Sequence, residues 1–140
     1  MTAPQTTSST SESARRIHRA LVSGVLLFAV VGYFILGPTD AKLGGLAPVM
    51  ASVLLGLSLG ACVLALLLRR RVPKRSIDES ADLFWRAAGP PAMLVWMPLE
   101  AASLLAVFVS ARTRSIPAVA VAAVAVMLFI VLNPGYLEKR

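Results

Sequence analysis

Glu100 stands inside a long apolar stretch, with Trp96 and Pro98 just before it and Ser103 just after it, and no Lys, Arg or His interrupts the apolar blocks to pair with it. Its place roughly midway between Pro91 and Ala111 predicts a depth near the centre of a bilayer. An acid there costs roughly 2.5–3.5 kcal/mol on insertion scales, so it calls for a reason. Two chemistries suit it. It can carry a proton or ion along a path, or it can tie two helices by a hydrogen bond, a contact worth about 0.6 kcal/mol on average. Ser103 shares its helical face, and Pro98 frees the Leu94 carbonyl by removing the N–H that would have bonded it, so these are the expected partners.

The remaining reactive types are sparse. Cys62 lies in an apolar block, where a lone thiol behaves as a small buried side chain, and His18 stands beside Arg19 with no second histidine to complete a metal site. No zinc, haem or other cofactor is expected. Ser52, Gly56 and Gly60, with Ala61 adjoining, form a small-xxx-small stripe that lets helices approach closely, either within the chain or between copies. There is no GxSxG elbow, phosphate-binding glycine loop, HExxH motif or second carboxylate near Glu100, so catalysis is not expected.

The elements that position these residues follow from composition. Of the 140 residues, 57% are hydrophobic and 15% charged, more apolar surface than a soluble core of this size can hide. The apolar residues form blocks near the length that crosses roughly 30 Å of hydrocarbon at about 1.5 Å per residue. The expected fold is all-α, an integral membrane four-helix bundle of two helical hairpins, with spans at about 20–36, 46–68, 91–111 and 116–132. Residues 1–14 read as a disordered Ser/Thr tail, followed by the membrane domain over 15–140. The first block is expected to remain as an uncleaved span, since it exceeds a signal core and Gly37 to Ala41 is a poor cleavage site.

The long stretch from Leu83 to Ala111 contains Pro90, Pro91 and Pro98, and it divides most simply at Gly89. Ser76 and Glu79 have the spacing of a capping box, and Ile77, Ala81, Phe84 and Ala88 recur on one helical face. A short interfacial helix over about 77–88 is therefore expected before the third span, with Trp85 at headgroup level.

The formal charge is +7, but the cations sit at the ends of apolar blocks, where they act as insertion signals rather than as a nucleic-acid footprint. With the N-terminus inside, Arg15, Arg16, Arg19, Arg69, Arg70, Arg71, Lys74, Arg75, Arg86, Lys139 and Arg140 fall on the cytosolic side, and Lys42, Arg112 and Arg114 fall outside. This bias predicts a multi-pass protein of the cell membrane with both termini cytosolic. Arg15, Arg16, Arg19, Arg69, Arg70, Arg71, Lys74 and Arg75 are the expected lipid headgroup contacts.

Leu21 to Leu27 align on Leu99 to Leu105 through three leucines, which hints at a duplicated hairpin. Such a hairpin with one buried carboxylate is the plan of the proton-carrying rotor subunits of V-type ATPases, but those are glycine-rich along each helix and lack long basic inner loops. Arg16-Ile17-His18-Arg19-Ala20-Leu21 and Pro98-Leu99-Glu100-Ala101-Ala102-Ser103-Leu104-Leu105 resemble segments of a loose group of small four-span proteins of bacterial inner membranes, over about residues 16–132. The resemblance implies the architecture and no activity. The expected role is a non-catalytic accessory or interaction protein, in contact with the lipid bilayer and with another membrane protein or itself. The alternative is a small transport or proton-coupled subunit using Glu100.

Overall fold

The computed structural model describes residues 10–35 and 48–139, and every regular element among them is helical. In chain order these are α1 (Thr10–Ile35), α2 (Pro48–Leu68), which tightens into a single 3-10 turn at Arg69–Arg71, α3 (Ala81–Thr113), α4 (Ile116–Val131) and the short α5 (Pro134–Glu138). The chain is a small helical membrane bundle. Helices α1, α2 and α3 are long and apolar enough to cross a membrane, whereas α4 has 16 residues and falls short of that length by itself. The expected outer loop, with Asp40 and Lys42, the beginning of the second span, and Arg140 lie outside the described residues.

Helix α3 is the hub, and α1, α2 and α4 all pack against it. Ala88, Ala92, Val95, Leu99, Ala102, Ala106 and Val109 recur every three or four residues along its buried face. Small side chains there let backbones come close, as between membrane helices that lack a hydrophobic drive toward each other. Ser58 of α2 uses that proximity, donating to the Ala102 carbonyl at 2.8 Å. Helices α1 and α3 run in the same direction, since Thr10 meets Asp82 at one end and Arg114 lies over the Tyr33 ring at the other.

Two expectations need correction here. The first concerns the tail. Helix α1 begins at Thr10, so residues 10–14 of the segment expected to be disordered are ordered. Asp82 explains this, because its carboxylate accepts from the Ser11 backbone N–H at 3.2 Å and from the Thr10 hydroxyl at 3.3 Å. Glu12 adds an ion pair with Arg16 one turn on and a negative charge at the helix N-terminus. Residues 1–9 lie outside the description.

The second correction concerns the interfacial helix. No separate helix over 77–88 forms, and α3 runs unbroken from Ala81 to Thr113 through Pro90, Pro91 and Pro98. Each internal proline removes one helical hydrogen bond and crowds the carbonyl four residues back. Here the prolines lie off the buried face, which continues from Phe84 and Trp85 through Ala88 and Ala92 to Trp96, so packing on both sides of Gly89 carries the helix across. The start also moves. Ser80 is the N-cap, accepting from the Leu83 N–H at 3.3 Å, while Glu79 reaches back to the Ser76 N–H within a preceding turn.

The far end of α3 is abrupt. Arg114 takes a left-handed conformation at φ 47° and its N–H returns to the Ser110 carbonyl at 2.8 Å, which lets α4 begin at Ile116.

Candidate functional site

Helix α4 stops at Val131, and its last carbonyls have no helical partners of their own. In an apolar layer such groups are expensive to leave bare. The structure meets them with side chains from three directions. His18 of α1 lies 3.0 Å from the Phe129 carbonyl through Nε2; a carbonyl only accepts, so that nitrogen carries the proton. Trp96 of α3 donates from Nε1 to the Leu132 carbonyl at 2.8 Å, and Asn133 donates from Nδ2 to the Ile130 carbonyl at 3.1 Å. Asn133 then caps α5, accepting from the Tyr136 N–H at 2.9 Å.

Aromatic rings fill the space between these donors. His18 meets Trp96 edge-on with centroids 5.1 Å apart and Phe129 at 5.3 Å, and Trp85 lies 6.0 Å from Trp96. Just beyond, the Glu138 carboxylate accepts from Trp85 Nε1 at 2.6 Å and pairs with Arg15 at 3.2 Å. Glu138 is nearly enclosed, its side chain only 10% exposed, whereas that of Arg15 is 52% exposed. Arg69, at the end of α2, lies over the Tyr136 ring at 5.3 Å. One end of the bundle is thus a cross-linked polar and aromatic knot joining α1, α3, α4 and α5.

Beside the knot a cleft of about 640 Å³ opens between α1 and the α4–α5 junction. Arg15, His18 and Arg19 form one wall; Asn133, Glu138 and Lys139 stand on the other. Val22 of α1 and Ile130 of α4 line it as well, on the side of the charged residues that faces the body of the bundle. Neither Arg19 nor Lys139 has an ion pair with a described residue, so the one acid on the cleft is engaged while two of its three cations are free.

Comparison with family models, with curated proteins and with solved structures gave no match. The site is therefore read from its own chemistry.

The residues singled out in the sequence fall in three places. Of the basic set, Arg15 and Arg19 reach the cleft, Arg16 pairs with Glu12, Arg69 covers Tyr136, and Arg75 Nε donates to the Glu79 carbonyl at 3.0 Å. Arg70, Arg71 and Lys74 are exposed at the same end. Glu100 is half-buried on the flank of α3 and makes no hydrogen bond to a described residue. The expected link to Ser103 is absent: Ser103 is fully buried and donates to the Leu99 carbonyl of its own helix at 2.7 Å.

The stripe of Ser52, Gly56 and Gly60 lies on the exposed side of α2, and a methyl group added at Gly56 or Gly60 would meet nothing within 4 Å. It does not serve packing within the described chain. The inward face of α2 is instead Ser58, Cys62 and Ala65.

His18, Trp85, Asn133 and Glu138 were not among the candidates. For His18 a signal existed: Ala14, His18, Leu21 and Val25 share one face of α1, three of them buried and Leu21 packed against the core.

Proposed function

We propose that this chain is a multi-pass protein of a cytoplasmic-type membrane, with four spans and both termini on the cytosolic side, which acts as a non-catalytic accessory or interaction protein. The observation that carries this reading is the segregation of charge on the folded bundle. Arg15, Arg16, Arg19, Arg69, Arg70, Arg71, Lys74, Arg75, Arg86 and Lys139 gather at the end where α1 and α3 begin, with Arg112 and Arg114 at the other. Large apolar side chains such as Leu27, Phe34, Val49, Leu57, Met127 and Ile130 are exposed around the body between those ends, where lipid would cover them. The basic end then faces an anionic leaflet or a membrane partner. Shortness of α4 fits the same picture, because the knot satisfies its carbonyls below the headgroups.

Reporter fusions test the topology. Reporters active only in the cytosol are expected to work at the N-terminus, after Arg75 and after Arg140, and to fail near Asp40 and Thr113. A cytosolic signal at Asp40 overturns the four-span arrangement. Proteins that co-purify with the tagged chain in mild detergent would identify the partner.

Glu100 supports a second reading, a transport or proton-coupled subunit, since an acid in a span without a hydrogen-bond partner among the described residues is a functional signal in membrane proteins. Glu100→Gln separates the two. Unchanged cellular function and unchanged melting favour the accessory role; lost proton-linked activity with unchanged melting favours transport.

A further inference from the structure

We propose that the cleft between α1 and the α4–α5 junction binds an anionic phospholipid, with the phosphate held by Arg19, Lys139 and the outer face of Arg15, and the acyl chain laid along Val22 and Ile130. The proposal rests on the reading that the basic end lies at a membrane surface, and names the ligand that end would take.

The charges favour an anion. Arg15, Arg19 and Lys139 line the cleft against a single acid, Glu138. That acid is turned away from service as a repellent, since Trp85 Nε1 holds it at 2.6 Å and Arg15 at 3.2 Å, leaving its side chain 10% exposed. Arg19 and Lys139 spend their charge on no described residue, and Arg15 keeps further N–H groups beyond the one facing Glu138. Guanidinium and ammonium groups converging from two walls suit a phosphate.

The rest of the cleft decides in favour of a lipid over a soluble anion. Its lining passes from Arg15 and Arg19 to Val22 along α1, and from Lys139 and Glu138 back to Ile130 along the other wall. Both walls therefore run from charged to uncharged toward the apolar body, ending on Val22 and Ser23 of α1 and on Ile130 of α4. Ile130 is 46% exposed, so the apolar part is open to a neighbouring acyl chain. A volume of about 640 Å³ lies within the roughly 300–1,000 Å³ usual for small-molecule sites. Basic recesses between spanning helices on the cytoplasmic side are a recurrent form of headgroup site.

Native mass spectrometry of the full chain in a mild detergent tests this, with phosphatidylglycerol, phosphatidylcholine and inorganic phosphate as separate probes. Phosphatidylglycerol is expected to bind at least tenfold more tightly than phosphatidylcholine, and inorganic phosphate is expected not to displace it. Arg19→Gln with Lys139→Gln should weaken phosphatidylglycerol by roughly thirtyfold, from about two headgroup-range charges. Arg112→Gln with Arg114→Gln removes the same charge at the far end of the bundle and should leave binding within about threefold. Ser23→Trp, at an exposed lining position, keeps every charge and should block the cleft. Equal losses in the two double variants, full binding by Ser23→Trp, equal binding of phosphatidylcholine, or displacement by phosphate would each overturn the proposal. None of these readings depends on orientation in a cell, so their failure is distinct from a failed topology.

Discussion

At the end where α1 and α3 begin, four helices are joined by side chains that reach across: His18 to the Phe129 carbonyl, Trp96 to the Leu132 carbonyl, Trp85 to Glu138 and Arg15 to the same carboxylate. Among the described residues at the opposite end, the buried side chains are Ala106, Val107, Val109, Ser110, Ala111, Ala118 and Ala122, with Phe28, Ala29 and Val121 packed beside them. There the hydroxyls of Ser110 and Thr113 return to carbonyls of their own helix, and exposed Arg114 covers the Tyr33 ring and donates to the Tyr33 carbonyl at a long 3.5 Å. The difference teaches where specificity resides. Directional side-chain bonds set the register of α1, α3, α4 and α5 at the first end, whereas α2 is held on α3 by close packing and the Ser58 hydrogen bond.

The largest expected effect breaks the knot itself. Trp96→Ala removes a fully buried ring and leaves the Leu132 carbonyl unpaired, so detergent melting should fall by the equivalent of about 3–5 kcal/mol. Trp96→Phe keeps most of the volume and should cost about 1–3 kcal/mol, chiefly for the bare carbonyl. If both melt like the wild type, the knot does not organise the bundle. Next comes Ala65→Leu, which overpacks a fully buried position on α2 and should cost about 1–3 kcal/mol by thermal unfolding. At the other end, Arg114→Ala should change melting by less than about 0.5 kcal/mol, since the side chain is exposed; a larger loss would show that end to be pinned as well. Smallest of all, Gly56→Leu and Gly60→Leu should leave the melting of the single chain nearly unchanged, because both positions are exposed and a Cβ added at either meets nothing within 4 Å. A marked loss in either would mean that the stripe is covered in the assembled protein.

The bundle was legible because lipid demands unbroken apolar runs, and those runs place α2 and α4 within a few residues of their observed positions, whereas α1 begins at Thr10, well before its apolar run, on polar contacts with Asp82. The division at Gly89 misled because a proline's local cost is visible in sequence, whereas the buried face that outweighs it, from Phe84 to Ala111, appears only once α1, α2 and α4 surround it. For the stripe, small residues occur on both sides of α2, and spacing does not reveal which side faces α3. The knot was hidden for another reason: apart from Glu138 its acceptors are the backbone carbonyls of Phe129, Ile130 and Leu132, which carry no residue type to recognise, and its donors come from positions far apart in the chain.

Because α3 touches α1, α2 and α4 while, among the described residues, α1 and α2 share almost no contact, those two helices have little in common to hold them together as the chain leaves the ribosome. These two arms must drift in the bilayer, or be held by insertion factors, until the third arm is delivered between them. Release of a nascent chain truncated before Ala81 would thus yield separate, protease-sensitive arms, and extension through Thr113 would convert them in a single step to a resistant core.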